Sequence, residues 1–179
     1  TIPGLSQATT YYISPSGSDS NDGLSTSYSW KTFSHAIPEL DPGDTLMVIN
    51  GTYSVAAGTG LPSITCGTNA NNGTEAQPIT IQAQNERQAF LESTGDDNTA
   101  FRMSGCSYWN VHGLRGKSAD LASGDGGKQH SVFEISGSNH IQLKRLLATH
   151  NNRYFNCHTI SVGNSSHTLV EECEAYYFH

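Results

Sequence analysis

Short runs of alternating apolar and polar residues, separated by turns rich in Gly, Ser and Asn, fill the second half of the chain. Alternation with a period of two predicts strands with one buried face. The runs also repeat, because Phe101–Leu114 aligns without gaps to Phe133–Leu146 and again to Ile160–Cys173. Each unit holds two alternating strands around a turn, and ungapped self-similarity of this kind is typical of a solenoid.

The repeat predicts which apolar side chains stack on one another. Residues of like parity share a face of a strand, so four inward columns are expected. These columns are Phe101/Phe133/Ile160, Met103/Ile135/Val162, Val111/Leu143/Val170 and Leu114/Leu146/Cys173. We therefore predict an all-β fold, a right-handed parallel β-helix. A β-sandwich also has short alternating strands, but it does not explain why three sequence units align without gaps in one register.

The first half of the chain is predicted to form the first coils of this solenoid. Asp44–Ile49 and Pro78–Ala83 are predicted as strands of preceding coils, and Trp30–Leu40 has the apolar spacing of a short helix. That helix is expected to cap the first coil, whose apolar columns would otherwise end in water. Ala56–Asn72 and Lys117–Gln129 are rich in Gly, Ser and Asn and are predicted as loops.

The domain prediction is a single β-helix domain over 1–179, as the N-terminal part of a longer solenoid. Residues 11–53 are expected to form the cap and first coil, and 78–179 the stacked coils. The last unit runs into Tyr176–His179 without a polar closing element. We therefore expect either more coils beyond it, or a neighbouring chain that covers the open C-terminal coil, with head-to-tail filaments as one form of self-association.

Composition narrows the class of partner. The net charge is −7, and Lys144-Arg145 is the longest run of basic residues, so nucleic acid is a poor candidate. No stretch approaches the roughly 20 apolar residues of a membrane span. Only 14% of residues are charged, which fits a turn-rich β protein.

The four cysteines, Cys66, Cys106, Cys157 and Cys173, fit neither a zinc spacing nor a CxxC pair. Two disulfides and four buried thiols both remain open as interpretations. Three sequons, at Asn50, Asn72 and Asn164, permit glycans.

One set of motifs near the N-terminus carries a family resemblance. Tyr12–Asp19, Asn21–Gly23, Trp30–Phe33, Pro42–Leu46 and Gly51–Tyr53 resemble the N-terminal signature of bacterial pectate-lyase-like β-helix proteins. The resemblance implies a secreted or cell-surface protein whose partner is a polysaccharide. It further implies a calcium-assisted lyase that cleaves uronate-containing chains by β-elimination. The alternative is a non-catalytic surface, adhesive or filament-forming β-helix protein.

Candidate chemistry lies between the inward columns. Outward positions of adjacent coils bring His112, Lys144 and Glu171 into one column. A lyase needs a cation to neutralise the uronate carboxylate and a base to take the adjacent proton. The catalytic candidates are His112, Lys144 and Arg145, and the substrate or calcium candidates are Glu171, Glu172 and Glu174.

The alternative interpretation of these charges is structural. Lys144 with Glu171, and Arg145 with Glu172, would then be ion pairs that fix the register between coils. Arg102 with Glu134 would form a third pair of this kind. Both interpretations predict that the same residues lie together.

Two further groups of polar residues also allow a structural interpretation. One group, Asp19, Asn21 and Asp22, brings together several side-chain oxygens, as a calcium-binding loop does. A capped turn explains the same residues. Tyr108, His140 and His167 share one column at a turn, where a stacked ladder is expected rather than a metal site.

Overall fold

The computed structural model describes residues 7–93, 99–118, 130–150 and 157–177. One short helix, α1 (Phe33–Ala36), is followed by a 3₁₀ turn over Ile37–Glu39. The strands in chain order are β1 (Thr10–Ile13), β2 (Thr45–Val48), β3 (Gly51–Tyr53), β4 (Ser63–Thr65), β5 (Ile79–Ala83), β6 (Ala89–Glu92), β7 (Phe101–Ser104), β8 (Ser107–His112), β9 (Arg115–Lys117), β10 (His130–Ser136), β11 (Asn139–Lys144), β12 (Leu147–His150), β13 (Cys157–Gly163), β14 (Ser166–Glu171) and β15 (Glu174–Tyr177).

These strands form three parallel sheets around one core. Sheet 1 has the order β1-β2-β5-β8-β11-β14, sheet 2 the order β3-β6-β9-β12-β15, and sheet 3 the order β4-β7-β10-β13. The chain passes from sheet 1 to sheet 2 to sheet 3 and back, so each full circuit is one coil of a parallel β-helix. The fold class predicted from the repeat is confirmed.

The predicted inward columns are also confirmed. Phe133 pairs in register with Phe101 on one side and Ile160 on the other, and Leu143 pairs likewise with Val111 and Val170. Parallel pairing places identical positions of successive coils directly above one another, which is why the sequence repeat and the core columns coincide.

Each coil has three strands, whereas the repeat predicted two. The missed strands β9, β12 and β15 make up the third side, and β9 reads Arg-Gly-Lys, without a β-branched or alternating apolar signal. The predicted loop Ala56–Asn72 likewise contains β4, in which only Ile64 points inward, opposite Met103. These strands form because the neighbouring coil supplies backbone hydrogen-bonding partners, and not because their residues have a high strand propensity.

The N-terminal cap is present but shorter than predicted. Trp30, Phe33, Ile37 and Leu40 are all buried over the end of the core, as expected for a cap. The α-helical part ends at Ala36 because Pro38 has no amide hydrogen to continue the ladder.

At the other end, the last described coil leaves its inward columns open. Val162 and Val170 are 41% and 44% exposed, whereas their partners Ile135 and Leu143 are fully buried. Self-association through this coil stays a prediction. The predicted loop Lys117–Gln129 lies outside the described residues from 119 onward.

The cysteines divide between bonded and free. Cys66 and Cys106 form a disulfide with a Cα–Cα distance of 5.0 Å, and Cys173 is a half-buried free thiol. The side chain of Cys157 lies outside the described part. Within the described ranges, no helix has the length and apolar character needed to cross a membrane.

Candidate functional site

Most of the predicted site residues meet at the edge where sheet 1 turns into sheet 2. Gly113, Arg145 and Glu172 occupy the turn in successive coils with φ angles of 68°, 53° and 54°. One left-handed residue bends the chain sharply and keeps the flanking strands in register. Lys144 consequently pairs in register with both His112 and Glu171, as the repeat predicted. We call this edge the charged corner.

A continuous line of hydrogen bonds crosses three coils of the charged corner. The Nε2 atom of His112 lies 3.0 Å from Oε1 of Gln142, and Nε2 of Gln142 donates to Oε1 of Glu171 over 3.2 Å. Lys144 Nζ lies 2.8 Å from the same Glu171 oxygen. If the Gln142 amide is both donor and acceptor in this way, His112 carries its proton on Nε2 and Nδ1 is the basic nitrogen.

Arg145 sits between two carboxylates. Its Nε is 3.3 Å from Glu86 and its Nη1 is 3.5 Å from Glu172. Lys144 is 3.8 Å from Glu172 as well, so this glutamate contacts both cations. The pairs Lys144–Glu171 and Arg145–Glu172 predicted from the sequence are therefore formed, and Arg102–Glu134 is formed on sheet 3 at 3.4 Å.

Glu174 is held apart from the other two glutamates. Arg87 Nη1 lies 2.7 Å from its Oε1, and the Tyr176 hydroxyl donates to its Oε2 over 2.7 Å. Sequence reasoning missed Arg87 and Glu86, because both lie in a turn outside the repeated units. Arg87 is 87 residues from Glu174, and the partner of Glu86 in the next coils is Arg145. Gln142 could have been predicted from the sequence, because the alternation places it on the outer face of β11 beside the predicted column.

The charges at the corner are fixed by their surroundings. The hydrogen bond from Lys144 lowers the pKa of Glu171, and hydrogen bonds from Tyr176 and Arg87 lower the pKa of Glu174. Burial lowers the pKa of His112, and the nearby cations Arg145 and Lys144 add to that effect. The corner therefore presents ionised carboxylates beside a neutral imidazole at neutral pH.

The three candidate calcium ligands do not converge. Glu171, Glu172 and Glu174 each contact a different set of cations, so a calcium ion would have to displace protein ion pairs. Over the described ranges, no three His, Cys, Asp or Glu side chains group closely enough to hold a metal.

The second predicted calcium group forms a capped turn. Asp19 Oδ1 accepts the amide hydrogens of Lys31 and Thr32 at 2.8 and 2.9 Å, and Oδ2 accepts the Thr32 hydroxyl at 2.7 Å. Asn21 donates to Ser29 O, and Asp22 accepts the Leu24 amide. Asp19 thus anchors the start of α1. The alternative interpretation, a capped turn, describes all three residues.

The aromatic ladder beside sheet 1 is confirmed. Tyr108 and His140 stack with ring centroids 4.5 Å apart, and His140 and His167 with centroids 4.6 Å apart. All three have positive φ angles between 51° and 58°, which repeats one turn geometry in three coils. The rings lie face to face, so their nitrogens do not converge on a common metal.

Comparison with known proteins places this architecture in a family. A family model described as the Pel9A-like right-handed β-helix region matches residues 11–179. Pectate lyase L of Dickeya chrysanthemi is 27% identical over 143 residues, which cover 76% of this chain and 33% of that protein. The chain thus spans about a third of the length of this curated relative.

Solved structures agree on the fold. The GH136 lacto-N-biosidase of Eubacterium ramulus superposes with a TM-score of 0.64 at 16% identity, covering 93% of this chain and 34% of that chain. Pectate lyase Pel9A superposes with a TM-score of 0.57 at 21% identity, covering 90% and 40%. At these identities the likeness concerns the fold alone, and the right-handed β-helix is shared by proteins of different named activity. Because the family model matches residues 11–179 of this chain, the chain belongs to the Pel9A-like right-handed β-helix family.

Proposed function

We propose that this chain is part of a secreted polysaccharide lyase that cleaves uronate-containing chains by β-elimination. The observation that carries the proposal is the charged corner, which sets a neutral His112 beside the cations Lys144 and Arg145. Membership of a family that includes relatives named pectate lyase supports the choice of substrate class.

The chemistry needs two functions that the corner supplies. A cation must offset the charge of the uronate carboxylate, so that the hydrogen on the carbon next to it becomes acidic. A base must then accept that proton, while the C–H electron pair forms the new carbon–carbon double bond and the glycosidic oxygen departs with its bonding pair. We assign the base to His112 and the neutralising charge to Lys144 and Arg145.

His112 suits the base because its lowered pKa keeps it unprotonated at neutral pH. Lys144 and Arg145 suit the carboxylate because each is partly exposed, with side-chain exposures of 25% and 36%. An incoming uronate would exchange with Glu171 or Glu172 as the partner of these cations. Calcium dependence stays a prediction of the family resemblance.

The disulfide supports export. Cys66–Cys106 is a bond of the kind that persists in oxidising compartments and is rare in the cytosol. An extracellular polysaccharide would meet the protein there.

One observation favours a second candidate, non-catalytic glycan binding. Each cation of the corner already contacts a carboxylate of the protein, as expected if these pairs hold the register between coils. The protein would then bind polysaccharide without cleaving it.

The test is incubation of the purified protein with pectate, alginate and chondroitin-type chains, with calcium and then with chelator, following the ultraviolet absorbance of unsaturated chain ends. We expect the absorbance to rise, and to rise about 100-fold more slowly in His112→Ala, the scale of lost general-base catalysis. Arg102→Ala, which breaks an ion pair on sheet 3, is the matched control and should keep full activity. Binding without any rise in absorbance would favour the second candidate.

A further inference from the structure

We propose a second carboxylate-binding site on the outer face of sheet 2, formed by Arg115 and Lys117 of β9, which takes a uronate of the same polysaccharide. The inference rests on the proposed function for its substrate class. Its evidence is separate, because neither residue belongs to the charged corner or to the repeated columns.

The orientation of β9 is fixed by the glycine between the two cations. A Cβ atom added to Gly116 would lie 2.6 Å from Val132 Cγ1 and 2.9 Å from Cε2 of Phe133, so this residue faces the packed core. Successive residues of a strand point to opposite faces. Arg115 and Lys117 therefore both project from the outer face, roughly 7 Å apart along the strand.

Both cations lack a carboxylate partner among the described residues. The described arginines Arg87, Arg102 and Arg145 each form an ion pair, as does Lys144. Arg115 and Lys117 form none with the described carboxylates, and Nε of Arg115 is buried without a hydrogen-bond acceptor. A buried donor left unsatisfied is costly, and a ligand carboxylate on this guanidinium would bind without displacing a protein carboxylate.

The Arg115 side chain is also held in position for such a ligand. Its guanidinium carbon lies 4.5 Å from the centre of the Phe90 ring, which projects from the adjacent strand β6. Stacking on an aromatic face fixes the plane of the guanidinium and leaves its edge for a carboxylate. A planar fork fixed in this way loses little freedom when it forms two parallel hydrogen bonds.

The surroundings connect this site to the charged corner. Arg115, Leu147 and Glu174 are paired in register across β9, β12 and β15, and Glu174 is the glutamate held by Arg87. With strands about 4.8 Å apart, Arg115 lies about 10 Å from the backbone of Glu174. An extended anionic chain that contacts the corner can therefore continue onto sheet 2. Glu92, opposite Lys117 in register, is the neighbouring charge that opposes a ligand carboxylate.

The experiment measures binding of a pectate fragment by isothermal titration calorimetry, separately from the lyase assay. We expect Arg115→Gln to weaken binding by about tenfold or more, the scale of one charge-assisted pair. Arg115→Lys, which keeps the charge without the fork, should recover only part of the affinity. Glu92→Gln should strengthen binding. Lys31→Gln, in the N-terminal cap, is the control and should change nothing.

A fragment with methyl-esterified carboxylates should bind far more weakly to the unmodified protein. Arg115→Gln binding as tightly as the unmodified protein, while Lys144→Gln binds less, would overturn the second site and leave the proposed function intact. Equal binding of both fragments would overturn both, because each relies on a cation that contacts a uronate carboxylate. Loss of binding in Arg115→Gln in a protein that never cleaves pectate would overturn the lyase proposal and support the second site. The circular dichroism spectrum of each variant checks that the outward substitutions leave the fold unchanged.

Discussion

The amide nitrogen of Cys106 donates a hydrogen bond to Oγ of Ser138, 32 residues later and one coil away, over 3.1 Å. The same hydroxyl donates to Ser136 O over 2.9 Å, so one buried side chain satisfies groups in two coils. Ser165 repeats the arrangement in the next coil, where it accepts the Ser138 amide. These serines hold the corner between sheet 3 and sheet 1 in register.

The first prediction follows from that ladder. Ser138→Ala leaves the Cys106 amide without an acceptor in the core, and we expect a loss of about 1–3 kcal/mol in the free energy of unfolding. Ser165→Ala, at the equivalent but more exposed position, is the matched control and should cost less. Urea unfolding monitored by circular dichroism measures both variants, and an equal effect of the two would contradict the role of burial.

A second prediction concerns the glycine of β9. Gly116→Ala places a methyl group 2.6 Å from Val132 Cγ1 in a fully packed core. Overpacking of this kind costs about 1–3 kcal/mol. Gly163→Ala is the control, because a Cβ atom there meets nothing within 4 Å and its φ angle is not left-handed. Thermal unfolding should show a lower midpoint for the first variant alone, and matched midpoints would refute the inward orientation of Gly116.

The disulfide gives a third prediction. Cys66 and Cys106 are 40 residues apart in sequence, so their bond restricts the unfolded chain over a long loop. The double variant Cys66→Ala/Cys106→Ala should lose about 2–4 kcal/mol in the free energy of unfolding. Reductant should lower the stability of the parent protein but leave the double variant unchanged. Cys173→Ala, which removes the free thiol, serves as the control for cysteine loss, and a parent protein indifferent to reductant would count against the bond.

Asp19 gives a prediction about pH. Burial alone would raise the pKa of this carboxyl, but the hydrogen bonds from Thr32 and Lys31 outweigh it and hold the pKa below the ordinary value of 3.8. The stabilisation is therefore complete above that ordinary value and disappears as the pH falls through the lower folded value. The difference in unfolding free energy between the parent and Asp19→Asn should be large at neutral pH and should shrink on acidification. Asp22→Asn is the comparison variant, because Asp22 accepts a single hydrogen bond, from the backbone amide of Leu24.

His112 gives a prediction of the same sign as Asp19, but in a higher range of pH. Its pKa lies below the ordinary 6.5, chiefly because of burial, so the unfolded chain binds more protons just below that value. Its contribution to stability is full above pH 6.5 and decreases as the pH falls. An NMR titration of the imidazole should give a midpoint under 6.5, and Lys144→Met should raise it by removing a like charge. A midpoint at or above 6.5 in the parent protein would contradict the effect of burial on this imidazole.

The amino-acid sequence by itself determined the core and the class of fold. Phe101, Phe133 and Ile160 stack because parallel coils repeat one register, and a period of two with a constant phase is readable without coordinates. The same register predicted that Lys144 lies between His112 and Glu171, since neighbours within a column follow from the alignment alone.

Only the tertiary structure decided the rest. The third strand of each coil, such as β9, has no pattern of its own and forms because a neighbouring coil offers its hydrogen-bonding edge. Three further contacts each involve at least one segment outside the repeat: the ion pair of Arg87 with Glu174, the disulfide between Cys66 and Cys106, and the stacking of Arg115 on Phe90. Such contacts depend on where variable turns place side chains in three dimensions, and a repeat fixes only the positions that it repeats.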